Sequence, residues 1–238
     1  LAGWTSSEAN DHALYRNATL LIPIWALGFT VLAFDLIMSL ALHWWSTLLG
    51  AFYFMGGLLN ALAFLAVLAA VLRRRMGLEE LLSPKQFHDL GKLVFGFTVF
   101  WAYLMWSQFL VIWYGNMPEE TWFVFYRLWG VWRPVGVAVF LMAFVIPFVG
   151  LLGEKPKKNT GTFALFALIS LLGVWLERYL LIVPSINHGA GPAFGVAEVG
   201  ITAGYLGLFL LSFAWFARTF PIISPRLAED TLQREAGH

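Results

Sequence analysis

Six stretches of this chain are each about 20 residues or more of largely apolar sequence, the length an α-helix needs to cross a bilayer at ~1.5 Å per residue. They run roughly over 19–42, 48–72, 91–114, 134–153, 161–184 and 196–217. Inside lipid no water competes for backbone groups, so each segment is predicted to be helical. Composition closes off the soluble alternative. Of 238 residues, 60% are hydrophobic and 12% charged. Soluble domains run nearer half apolar and a quarter charged, so too few polar residues remain to cover an outer surface.

The basic residues orient the six spans. With both termini on one side, that side holds Arg16, Arg73, Arg74, Arg75, Lys85, Lys92, Lys155, Lys157, Lys158, Arg218, Arg226 and Arg234. The opposite side holds only Arg127, Arg133 and Arg178. The positive-inside bias predicts cytoplasmic termini. It divides the chain into a transmembrane domain, 1–220, and a cytoplasmic tail, 221–238. Residues 1–18 lack the basic-then-apolar order of a secretory signal. Net charge is +1, which leaves no global footprint for nucleic acid.

On the opposite side Trp44, Trp45, Trp113, Tyr114, Trp122, Trp129 and Trp132 gather, as aromatic rings do at headgroup level. Residues 118–129 are predicted to form a short helix in that interface. Pro118 suits the first helical position, and Glu119 and Glu120 suit the positive helix end. The helix reads as an aromatic anchor. The sharper reading is a docking surface for an extracytoplasmic partner, through Glu119, Glu120, Trp122 and Arg127. On the cytoplasmic side, Arg73–Arg75 reads as a topology signal at anionic lipid, and 78–83 as a short helix.

Ionisable groups at membrane depth are costly and mark candidate sites. Asp35, Ser39 and His43 recur at four-residue spacing in the first span, a stripe able to pass a proton. Packing of a buried neutral carboxylic acid is the plainer account. Glu177 and Arg178 lie in the fifth span. Neighbours point about 100° apart, so each is expected to find a partner on another helix, Asp35 being available for Arg178. His88 and Asp89, near Lys92, open the third span where a proton could be collected, although Asp89 could simply cap the helix. Tyr103, with Thr98, Ser107 and Gln108, extends the polar content of that span, as a path or as glue between helices. Gly200 and Gly204 read as a close-packing stripe.

No thiolate is available for an iron–sulfur cluster or a haem thioether, because the chain has no Cys. The five His stand at 12, 43, 88, 188 and 238, near ends or in loops rather than paired at mid-depth, so bis-His haem is not expected. No metal-ligand spacing, phosphate loop or nucleophilic triad is visible. Catalytic and metal-binding residues are therefore expected to be absent.

Three stretches carry a resemblance: Asp35 to Leu49 (DLIMSLALHWWSTLL), His88 to Leu93 (HDLGKL) and Phe100 to Thr121 (FWAYLMWSQFLVIWYGNMPEET). They resemble the smaller polysulfide-reductase-like (NrfD-type) membrane subunit of alternative complex III. That complex is a bacterial quinol:cytochrome c, or other electron acceptor, oxidoreductase. The likeness is dense over the first four helices and thins beyond. It implies a longer architecture of two four-helix bundles with flanking helices, of which this chain is the C-terminal six with one bundle as its core. It implies a bacterial inner-membrane location and a respiratory or photosynthetic electron-transport role. The partners implied are a larger homologous quinol-binding subunit, a periplasmic iron–sulfur subunit and multihaem cytochrome c subunits. Quinone, haem c and iron–sulfur clusters then belong to partners, and this subunit supports assembly and proton translocation without being catalytic alone. Asp35, His43, His88, Asp89 and Lys92 are the matching polar positions. A secondary transporter or channel, and a purely structural anchor, stand as alternatives.

Overall fold

The computed structural model describes residues 8–79, 82–187, 191–192 and 194–220. The chain is an all-α polytopic membrane helix bundle, and no strand occurs among the described residues. Six helical stretches are long and apolar enough to cross a membrane: Tyr15–Leu40, Leu48–Arg75, Pro84–Gly115, Gly130–Gly150, Thr160–Ile186 and Val196–Thr219. All six predicted spans are present.

The elements in order are α1 (Glu8–Leu36), α2 (Leu48–Met76), α3 (Pro84–Gly115) and α4 (Pro118–Leu128). Then come α5 (Arg133–Phe140), a π-helical turn (Leu141–Val145), α6 (Ile146–Gly150), α7 (Glu154–Lys158), α8 (Thr160–Ile186) and α9 (Val196–Thr219). Local chemistry sets the ends. At the start of α3, Pro84 sits at the first helical position and the Ser83 N–H donates to Gln86 Oε1 (2.7 Å). Asn116, with φ 45°, closes α3 in the left-handed region. The cap of α3 is thus at Ser83, and Asp89 lies inside the helix rather than capping it. Gly77, with φ 65°, ends α2 just after Arg73–Arg75, whose charges suit the negative helix end. Asn159 caps α8 by accepting from the Thr162 N–H (3.0 Å).

Two compact units make up the chain. The larger is Pro23–Pro192. Its core is a four-helix arrangement of α2, α3, α8 and the α5–π–α6 column, with Leu59, Val94, Trp101, Trp132, Ala143, Phe163 and Ala167 fully buried. Gly173 permits a close backbone approach. A Cβ there would lie 2.5 Å from the Ala143 backbone nitrogen, so α8 meets the π-helical turn backbone to backbone. Arg73 Nη1 donates to Thr160 Oγ1 (2.7 Å) and joins α2 to α8, a tie beyond its role in topology.

The other unit takes residues from both ends of the chain, and its described parts are 8–22 and 194–220. In α9, no residue is buried. Among the described residues, a Cβ at Gly200, Gly204 or Gly207 would meet nothing within 4 Å, so no close packing of this stripe is found there.

Other expectations shift in position. The first span is helical only to Leu36, followed by a 3₁₀ turn at Met38–Leu40. Over the predicted short helix 78–83, the Leu82 N–H donates to the Leu78 carbonyl (2.9 Å), a single turn whose residues 80 and 81 lie outside the described residues. Trp44 and Trp132 are buried in the core and are not interface anchors, whereas Trp45, Trp113, Tyr114 and Trp129 are exposed as expected. The tail 221–238 and His188 lie outside the described residues.

Candidate functional site: buried charges around an apolar cavity

Three buried or half-buried ionisable side chains lie in the half of the bundle that carries α4. Glu177, on α8, is 4% exposed. Its neighbour Arg178 turns back to it, with Nη1 3.2 Å from Oε2. The expectation that these neighbours pair poorly with each other is thus not met. The Cβ directions diverge, but the Arg stem is long enough to bring its head around. Arg178 also fulfils the other half of the expectation by reaching a second helix. Nη2 donates to the Tyr53 carbonyl on α2 (2.7 Å), and the guanidinium lies 3.8 Å from the Tyr53 ring centre. Gly56 makes room for it, since a Cβ there would lie 2.5 Å from Nη2. Asp35 is not the partner of Arg178.

Arg127 is the third. It was expected on a docking surface, but it is 4% exposed. The amphipathic turn of α4 explains this. Phe123 and Arg127, four residues apart, share the face that α4 turns inward. Nη1 donates to the Phe123 carbonyl (3.0 Å), and Nη2 to the Leu181 carbonyl (2.8 Å) and Ser185 Oγ (2.6 Å) on α8. Pro184 lacks an N–H and so leaves the neighbouring Leu180 carbonyl without its helical donor. α8 is thus locally open where Arg127 docks. The guanidinium lies 3.4 Å from the Phe123 ring centre, and Trp44 stacks on the same ring at 3.6 Å and 4°. Two groups that close must take opposite faces, which makes a three-layer stack of Trp44, Phe123 and Arg127. Burial pushes the Arg127 guanidinium down to about 9, which still leaves it charged at neutral pH.

Arg127 and Glu177 both stand in the wall of a cavity of about 470 Å³. Its other walls are mainly apolar: Trp101, Met105 and Phe109 from α3, Val137 and Phe140 from α5, and Leu180 from α8. Among the described residues, three wall atoms have no hydrogen-bond partner: Trp101 Nε1, Arg127 Nε and Glu177 Oε2, the last held only at ion-pair distance by Arg178. Ser170 Oγ, two turns below Glu177 on α8, is also buried without a partner. Neither the cavity nor the burial of Arg127 was foreseen. The Phe123–Arg127 spacing was the one available signal.

The remaining candidates lie elsewhere. Asp35 is exposed in the last turn of α1, and Ser39 Oγ donates to its carbonyl. His43 is exposed in the turn after the 3₁₀ segment. The predicted stripe is therefore not one helical face, because the helix ends before Ser39. At the other end of the bundle, Asp89 Oδ1 meets Lys92 Nζ at 2.6 Å and lies 3.9 Å from His88 Nδ1. The predicted His88–Asp89–Lys92 cluster is present, with Asp89 and Lys92 half exposed. Twelve residues of α3, ~18 Å at 1.5 Å per residue, separate Asp89 from the cavity wall at Trp101. Along that stretch Thr98 Oγ1 is buried and already donates to the Val94 carbonyl (2.8 Å). Tyr103 is 60% exposed and lies outside the buried set. Glu119 is exposed and Glu120 and Trp122 half-buried, so of the docking candidates these keep some accessible surface. Among the described residues no three metal-ligating side chains come together.

Compared with the models of known protein families and with the sequences of characterised proteins, the chain matches none.

Proposed function

We propose that this chain is a cofactor-free subunit of a bacterial inner-membrane quinol:electron acceptor oxidoreductase of the alternative complex III type. In that role it supports assembly and moves protons rather than electrons. One observation carries the protonic part: Glu177, an acid sequestered with Arg178 at depth between α2 and α8. Such a group is costly in lipid, and function is the default reason to retain it. The resemblance of the 35–49, 88–93 and 100–121 stretches carries the assignment to the complex. In this reading the termini are cytoplasmic, and His88–Asp89–Lys92 forms the cytoplasmic mouth. The larger quinol-binding subunit, the iron–sulfur subunit and the multihaem cytochromes hold quinone, clusters and haem c.

Purification in mild detergent with an optical spectrum tests it. The expected result is tight co-purification with c-type haem and iron–sulfur absorbance. A preparation free of both would overturn the reading.

A second reading, a secondary transporter, is favoured by the π-helical interruption of the α5–α6 span beside Pro147, since transporters break helices at mid-depth. Solute uptake by the chain alone in vesicles would select it.

A further inference from the structure

The cavity has a geometry that the protonic reading does not use. α3 packs against α6 and the π-helical turn but draws away from α5, while α4 covers the same end. A cleft is left between α3 and α5. Its edges are the exposed side chains of Trp106 on α3 and Val137 and Phe140 on α5, all on helices that cross the membrane. The space is thus bordered by side chains that face lipid. At about 470 Å³ it lies within the range of ligand pockets, about 300–1,000 Å³.

Charge says what kind of molecule fits. Three ionisable groups line the cavity: Glu177, Arg127 and Arg133. Glu177 is already matched by Arg178. Arg127 bonds only neutral carbonyl and hydroxyl oxygens, and its Nε is buried and without a partner. The side chain of Arg133 is exposed at the start of α5 and has no partner among the described residues. The site therefore holds two guanidinium groups in excess of its acids. Trp129 and Trp106, exposed beside it, are the residues that favour headgroup level.

We propose that the cavity is a phospholipid site: one acyl chain lies between α3 and α5, and the phosphate is held at Arg133, with Arg127 behind it. A guanidinium is the side chain best suited to phosphate. The site depends only on the chain lying in a membrane, so its failure would leave the redox assignment standing, and the reverse.

The test uses the full chain in nanodiscs with phosphatidylglycerol carrying a diazirine in one acyl chain. After illumination, labelled peptides are mapped by mass spectrometry. The expected labels fall on Trp101, Met105 and Phe109, and excess unlabelled phosphatidylglycerol removes them. Val137→Trp, which fills the cleft, should lower cavity labelling several-fold while labels on outward residues such as Val111 persist. Arg133→Gln, a substitution at an exposed side chain, should raise the amount of labelled lipid needed several-fold. Labels confined to outward residues, or cavity labels unchanged in both variants, would overturn the proposal. So would stoichiometric recovery of an isoprenoid quinone, in place of phospholipid, from the washed protein.

Discussion

The two ends of the Pro23–Pro192 bundle handle charge in opposite ways. At the α4 end, Arg127 and Glu177 are buried, and their partners are a ring, backbone carbonyls, a hydroxyl or a sequence neighbour. At the α7 end, Asp89–Lys92 (2.6 Å) and Glu154–Lys158 (2.6 Å) are ordinary helix-surface pairs, half exposed or more. The first arrangement costs desolvation and is hard to alter. The second costs little and contributes little. Distance alone does not separate them, because the surface pairs are the shorter. What separates them is the medium in which each charge sits.

Arg127→Ala should have the largest effect. It removes charge-assisted hydrogen bonds to α8 and a ring contact, worth together ~2–4 kcal/mol. Arg127→Met should cost less, because an apolar chain of similar length also removes the burial penalty. Thermal unfolding in a fixed detergent checks the order. Equal losses in the two variants would mean that packing alone holds α4.

Gly173→Ala comes next. The added Cβ meets the Ala143 backbone rather than a flexible side chain, so the helices must separate, at ~1–3 kcal/mol. Gly56→Ala makes a useful contrast. Its Cβ meets the far end of Arg178, which can move, so a smaller loss in melting temperature is expected.

Glu177→Gln keeps shape and removes the charge that faces Arg178. Arg178 retains the Tyr53 carbonyl and ring, so the loss should be held to ~1–3 kcal/mol rather than the full cost of stranding a buried charge.

The smallest effects lie at the α7 end. The Lys158 hydrogen bond holds the Glu154 carboxyl below the usual carboxylate range. A lowered pKa means that the contribution is present above the unfolded-state value and fades as pH falls through the folded one. Glu154→Gln should leave the melting temperature at neutral pH unresolved from that of the parent chain. Added salt should erase any difference in its acid slope. A clear neutral-pH shift would put this pair in the same class as Arg127.

The same contrast explains what the sequence disclosed. The six spans and α4 were legible because lipid leaves few alternatives to a helix, and Pro118, Glu119 and Glu120 mark a helix start. The Asp89–Lys92 pair was legible because three-residue spacing on a helix places it. The buried set was not. α8 and α9 have similar mean hydropathy, 1.9 and 1.7, yet 39% of the α8 window is buried and none of the α9 window. Lipid-facing and protein-facing surfaces are both apolar, so hydropathy cannot assign faces. Arg127 illustrates the same limit. Its depth depends on α4 docking against α8 beside Pro184, a tertiary event with no period of its own. Asp35 shows the same limit: the α-helix ends at Leu36 and gives way to a 3₁₀ turn at Met38–Leu40, so the four-residue spacing to Ser39 and His43 does not place them on one face.

The proposal most open to contradiction is that Glu177 moves protons beyond whatever its pairing with Arg178 contributes to stability. Proton uptake by the purified complex in liposomes, comparing Glu177→Gln with the parent, tests it most directly. Under the proposed function, the variant assembles with unchanged haem absorbance and strongly reduced uptake. An assembled variant whose uptake equals the parent's would contradict it and leave the buried pair a structural one.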